Sequence, residues 1–108
     1  MYDGLWTVAF KTLIGIGYGV VVLNNDKLLG GDAGYYYTGE YTIDGGRLQG
    51  TLDVIRFDSS SISVFGDIDE ISLSFSGSID EFVFSLTAST PVIPELQMSV
   101  TGNKKENL

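Results

Sequence analysis

The sequence predicts an all-β chain of about eight or nine short strands, joined mainly by hairpins and arranged as an up-and-down barrel or a sandwich. Three observations carry this expectation. Apolar and polar residues alternate with period two through most of the chain, Gly, Asn and Asp punctuate it at hairpin spacing, and no amphipathic stretch of helical length interrupts it.

Trp6, Val8 and Phe10 form the buried face of a first strand, and Ile14 to Leu23 give a second. Asn24-Asn25-Asp26 supplies the turn into Lys27-Leu28-Leu29, and Gly30-Gly31-Asp32 the next turn. The strand that follows sets Tyr35, Tyr37, Tyr41 and Ile43 on one face and Tyr36, Thr38, Glu40 and Thr42 on the other. Asp44-Gly45-Gly46 is a strong hairpin signal, leading to Leu48, Leu52 and Val54 on the buried face of a fifth strand. Ile71, Leu73 and Phe75 alternate with Ser72, Ser74 and Ser76. After the short connection from Gly77 to Glu81, Phe82, Phe84, Leu86 and Ala88 alternate with Val83, Ser85, Thr87 and Ser89. Pro91 and Pro94 mark an irregular connection before a last strand of Leu96, Met98 and Val100. Residues 1–103 are expected to form one domain, with 104–108 a disordered tail.

A chain of 108 residues supports one core. No apolar run approaches the roughly eighteen residues that span a bilayer, and Met1-Tyr2-Asp3-Gly4 lacks the basic start of a secretion signal. A bacterial cytoplasmic location is expected, away from membranes, and the absence of cysteine is compatible with it. The formal charge is -8, and between Phe57 and Asn103 there are seven carboxylates and no lysine or arginine. That half of the chain repels nucleic acid and attracts a basic protein; equally, acidic loops keep a small domain dispersed.

Gly15-Ile16-Gly17-Tyr18-Gly19-Val20 begins like a dinucleotide-binding fingerprint, but its third glycine falls one place early and no helix follows. Glycines inside a strand instead let a bulky neighbour such as Trp6 approach closely. The alternate residues Ile14, Ile16, Tyr18, Val20 and Val22 are apolar, so both faces of this strand are buried and the outer one is expected to form a homodimer seam. With neither His nor Cys there is no nucleophile and base system, and no enzyme activity or cofactor is expected. Asp67, Asp69 and Glu70 form the densest carboxylate cluster, but they lack the spacing of a calcium loop and read as solvated charge.

Several motifs, in order, resemble the GrlR family of small bacterial proteins. They are Asp3-Gly4-Leu5-Trp6, Gly15-Ile16-Gly17-Tyr18-Gly19-Val20-Val21, Lys27-Leu28-Leu29-Gly30-Gly31-Asp32, Tyr36-Tyr37-Thr38-Gly39-Glu40-Tyr41 and Ser63-Val64-Phe65-Gly66. The resemblance runs from Tyr2 to Thr101 and implies an antiparallel, up-and-down, lipocalin-like β-barrel of about eight strands that dimerises. The founding member represses type III secretion genes by binding a helix-turn-helix activator and keeping it from DNA. It carries an acidic Glu-Asp-Glu-Asp run where this chain has Ile43-Asp44-Gly45-Gly46, so only Asp44 could inherit that role.

Two functions follow as expectations. The first is a regulator that sequesters a basic protein partner, with Asp44, Asp67, Asp69, Glu70, Asp80 and Glu81 as its contacts and the acidic loops gathered on one end of the barrel. The second is a lipocalin-like carrier holding a small amphipathic ligand in a lumen lined by Trp6, Tyr35, Tyr37 and Tyr41. A carrier needs a mostly apolar cavity of about 300 Å³ or more, whereas a regulator can have a packed interior.

Overall fold

In the computed structural model, which describes residues 2–63 and 66–108, eight antiparallel strands close into one barrel. They are β1 (Gly4–Lys11), β2 (Ile16–Asn24), β3 (Lys27–Gly31), β4 (Tyr35–Asp44), β5 (Arg47–Arg56), β6 (Glu70–Ile79), β7 (Val83–Ser89) and β8 (Gln97–Asn107). Each strand pairs with its neighbour in sequence, and β8 returns to pair with β1. This is the up-and-down, lipocalin-like barrel rather than a sandwich, and closure leaves no unpaired edge. Among the described residues, no helix is long and apolar enough to cross a membrane.

Period-two alternation determines what points inward. On β7, Phe84, Leu86 and Ala88 are buried while Val83, Ser85, Thr87 and Ser89 face out, and β6 does the same with Ile71, Leu73 and Phe75 against its serines. Two tight hairpins set the register. Asn25 and Asp26 have φ of 49° and 70°, and Gly45 and Gly46 have 58° and 80°, the left-handed pair that matches the twist of a two-residue turn.

An even number of up-and-down strands puts alternate connections at opposite ends. The chain termini and the hairpins after β2, β4 and β6 lie at one end, and the connections after β1, β3, β5 and β7 at the other. The hairpin end is filled. Trp6 and Leu23 are fully buried there with Leu48 and Ile79, the Trp6 indole N–H donates to the Tyr2 carbonyl at 3.1 Å, and the ring packs 5.1 Å from Phe84.

Several boundaries differ from the sequence expectation. Residues 104–107 are not a tail but the end of β8, where Trp6 pairs with Lys104, Leu5 with Glu106 and Gly4 with Asn107 across a local bulge. Backbone pairing to β1 holds this polar segment, which has no hydrophobic alternation to announce it. Gly30 and Gly31 belong to β3, so the turn is Asp32 to Gly34. Ile14 lies in the β1–β2 connection, where Thr12 N–H donates to the Gly15 carbonyl at 2.9 Å. Phe82 is on the β6–β7 hairpin and exposed, because Asp80 accepts from the Phe82 and Val83 N–H groups and fixes the turn there. Within the Ser63-Val64-Phe65-Gly66 motif, Val64 and Phe65 lie outside the described residues.

Candidate functional site in the barrel lumen

The inward positions at the start of β2 are Gly17 and Gly19, and their missing side chains decide what the loop end of the barrel can contain. The Phe10 ring occupies the space over Gly17, while the Tyr37 hydroxyl sits 2.9 Å from where a β-carbon on Gly19 would be. The two rings meet edge to face with centroids 6.2 Å apart. These are the bulky neighbours that the strand glycines admit; Trp6, the expected one, packs at the other end.

Beneath the two rings lies a cavity of about 330 Å³. Val8, Val54, Leu86, Ala88, Met98 and Val100 supply apolar walls, and the cavity reaches the loop end at Asp32, Ala33, Gly34 and Ser61 to Ser63. A wall of this kind, with a few polar groups at one end, is typical of small-molecule sites.

The polar groups at that end are built on the Asp32 turn. Oδ1 of Asp32 accepts from the N–H groups of Gly34 at 3.0 Å and Tyr35 at 2.9 Å, an Asx-turn that starts β4, while Oδ2 accepts from the Tyr37 hydroxyl. Burial, then the hydrogen bond and charge of Asp32, hold the Tyr37 phenol well above the ordinary range. Tyr35 donates to the Ile68 carbonyl at 2.9 Å and Tyr41 to Oδ1 of Asp3 at 3.3 Å. Burial first, and then the Asp3 charge, push the Tyr41 phenol up to about 12. Each inward tyrosine thus has a partner for its hydroxyl, which removes the cost of burying a phenol.

Arg56 at the end of β5 fastens the connection over the mouth. Its guanidinium donates to the Ser61 carbonyl at 2.7 Å and pairs with Asp67 at 2.6 Å and Asp69 at 2.5 Å, while its backbone N–H donates to the Asp69 carbonyl at 2.8 Å. The carboxylates hold its pKa above the ordinary arginine value. Ser61 packs directly against Gly34, and Phe57 N–H donates to the Gly34 carbonyl at 2.9 Å, so the connection rests on the Asp32 turn.

Of the four residues expected to line a lumen, Tyr35 and Tyr37 do; Trp6 and Tyr41 are buried outside the cavity, Trp6 in the packed hairpin end. The sequence reading missed Phe10 and Asp32 as lining residues. The signal for Phe10 was its cross-strand position opposite Gly17; Asp32 gave only a turn signal. The acidic residues expected on one end are divided. Asp67, Asp69 and Glu70 follow β5 at the loop end, while Asp44, Asp80 and Glu81 lie in hairpins at the opposite end, because connections after odd and even strands cannot share an end. On the outside of β2, Ile16, Tyr18 and Val20 are exposed and Val22 is half-buried; Val22 pairs with the exposed Leu29, and Tyr36 lies across Gly31 from Val20. Among the described residues, no group of three or more carboxylates is placed to hold a metal ion.

Neither a protein-family model nor a curated protein matches the chain, so the likeness to the GrlR family stands on the quoted motifs alone.

Proposed function

We propose that the protein binds a small amphipathic molecule inside its barrel, as a carrier or a receptor. The observation that carries this reading is the cavity of about 330 Å³, mostly apolar along its walls, with Asp32, Tyr35, Tyr37, Ser61 and Ser63 among its polar lining. A barrel with no ligand role would gain from filling that volume, since an unfilled apolar space forfeits dispersion contacts. The outward Ser72, Ser74, Ser76 and Ser78 of β6 also favour this use of the interior, because a membrane-spanning barrel needs the opposite pattern, apolar outside and polar within.

The test is displacement of a neutral naphthylamine fluorophore from the lumen, run beside the filled variant Ala88→Leu. Ala88 is buried on the cavity wall, so the larger side chain occupies the volume without disturbing the outer surface. Probe binding by the natural chain and its loss in a folded Ala88→Leu supports the reading. Equal binding by both chains refutes it.

A second copy of the chain on the outer face of β2 is the further reading that an observation favours. Ile16, Tyr18, Val20, Leu29 and Tyr36 place exposed apolar surface across three adjacent strands, more than a lone surface residue would explain. Sequestration of a basic protein takes third place. Its acidic residues are split between the two ends, and Arg56 already pairs with Asp67 and Asp69.

A further inference from the structure

The loop end of the lumen brings together three features. Asp32 places a carboxylate on the cavity wall, and among the described residues no ion pair engages it. Its bonds come from the Tyr37 hydroxyl and the N–H groups of Gly34 and Tyr35; about four lone-pair directions exist on a carboxylate, so acceptor capacity remains for one more donor. The rings of Phe10 and Tyr37 line the same cavity, joined edge to face, and Tyr37 is itself bonded to Asp32. Finally, the segments at this end carry Asp32, Asp58, Asp67, Asp69, Glu70 and Glu95 against only Lys11 and Arg56.

Each feature selects on charge, and all select the same sign. A carboxylate at the edge of an apolar space repels an anionic head and attracts a cationic one, and aromatic rings beside it attract a cation through their quadrupoles. The surrounding acidic loops raise the local concentration of cations at the mouth. Of the two cations at this end, Arg56 is occupied by Asp67 and Asp69.

We propose that the ligand is an organic cation, with its ammonium group at Asp32 beside Phe10 and Tyr37 and its hydrocarbon body in the lumen. The inference rests on the lumen-binding reading above and names its ligand class. At about 30 Å³ for a water-sized group, the volume admits a body of roughly eight carbons with its head. Fatty acids are excluded by the same charges that admit amines.

The experiment compares octylamine, 1-octanol and octanoate by calorimetry at neutral pH, with the Met98 methyl resonance reporting entry into the lumen. The expected order is octylamine, then octanol, then octanoate, with the amine at least about tenfold tighter than the alcohol and alone weakened by salt. Asp32→Asn keeps an oxygen for the turn but removes the charge, and it should bring the amine-to-alcohol affinity ratio down to about one. Octanoate binding as tightly as octylamine, an amine that leaves Met98 unmoved, or an amine-to-alcohol ratio unaltered by Asp32→Asn would each overturn the cation while leaving the lumen reading intact. If none of the three moves Met98, the lumen reading itself is lost. Should Asp32→Asn not fold, the order of the three compounds on the natural chain decides alone.

Discussion

The Phe10 ring lies against the backbone of Gly17, directly across the β1–β2 ladder, in the space where a side chain at position 17 would begin. The ring is the mobile partner, since it borders an open cavity. Gly17→Ala should therefore push it inward at a cost of about 1–3 kcal/mol, the usual range for overpacking, and should shrink the lumen enough to weaken ligand binding. Gly50 offers the contrast, because a β-carbon there meets the Glu40 carbonyl, a backbone atom of the paired strand. Gly50→Ala should cost more than about 3 kcal/mol or abolish folding. Urea denaturation of both variants checks the order, and a Gly17→Ala as damaging as Gly50→Ala would remove the role given to the cavity.

The tyrosines predict loss of stability at high pH. A phenol must stay protonated to donate, and Tyr41 has its folded pKa raised from 10.0 to about 12 by burial and by Asp3. The unfolded chain releases the proton first. The contribution is fully present below pH 10 and is lost as pH rises from 10 towards 12, and Tyr37, raised further, extends the loss beyond that window. Phenolate absorbance should therefore rise together with unfolding measured by near-ultraviolet dichroism. Tyr37→Phe should lower stability at neutral pH by about 1 kcal/mol, through the bond lost by Asp32, and should make the decline above pH 10 shallower. A decline of unchanged steepness would mean that Tyr37 is not the group resisting ionisation.

How far the sequence foretold these features depends on the kind of signal each one leaves. The inward set of Tyr35, Tyr37 and Tyr41 was legible because period-two alternation leads into a glycine hairpin that fixes register. The end of β8 was not, since Asn103 to Asn107 is polar throughout and only the partner strand β1 reveals it. The division of the acidic residues between the ends was available in principle, by counting connections after odd and even strands. The cavity was beyond reach, because its emptiness depends on where the Phe10 and Tyr37 rings come to rest over Gly17 and Gly19, a matter of barrel stagger that no single segment encodes.

Arg56 sits at the root of the 57–69 connection and holds it by four donors, so its loss should loosen that segment more than the barrel. Asp67 and Asp69 are well exposed, and an ion pair open to solvent on its carboxylate side contributes little to folding, although the Arg56 side chain itself is 11% exposed. Arg56→Ala should thus lower the denaturation midpoint little while amide exchange accelerates at Ser61, whose N–H donates to the Asp58 carbonyl, and at residue 56, whose N–H donates to the Asp69 carbonyl. Ligand entry and exit should both quicken, because Ser61 and Ile62 border the mouth. Exchange rates confined to their original values in this variant would show that the segment is held by Gly34 alone.

Val20 tests the outer face independently of the lumen. It is 44% exposed at the centre of the apolar surface, pairs with Thr7 on β1 and Gly31 on β3, and points away from the cavity. An aspartate there remains solvated in a monomer and costs the fold little. In a dimer seam the same charge would be buried without a partner, a penalty of several kcal/mol that is enough to separate the copies. Val20→Asp should therefore sediment as a folded monomer at concentrations where the natural chain sediments as a dimer, with an unchanged dichroism spectrum and unchanged binding in the lumen. Ser74→Asp, on the polar outer face of β6, serves as the control and should leave the dimer intact. A natural chain that sediments as a monomer at tens of micromolar, about the concentration at which a weak specific interface is populated, would end the dimer reading without touching the lumen proposal.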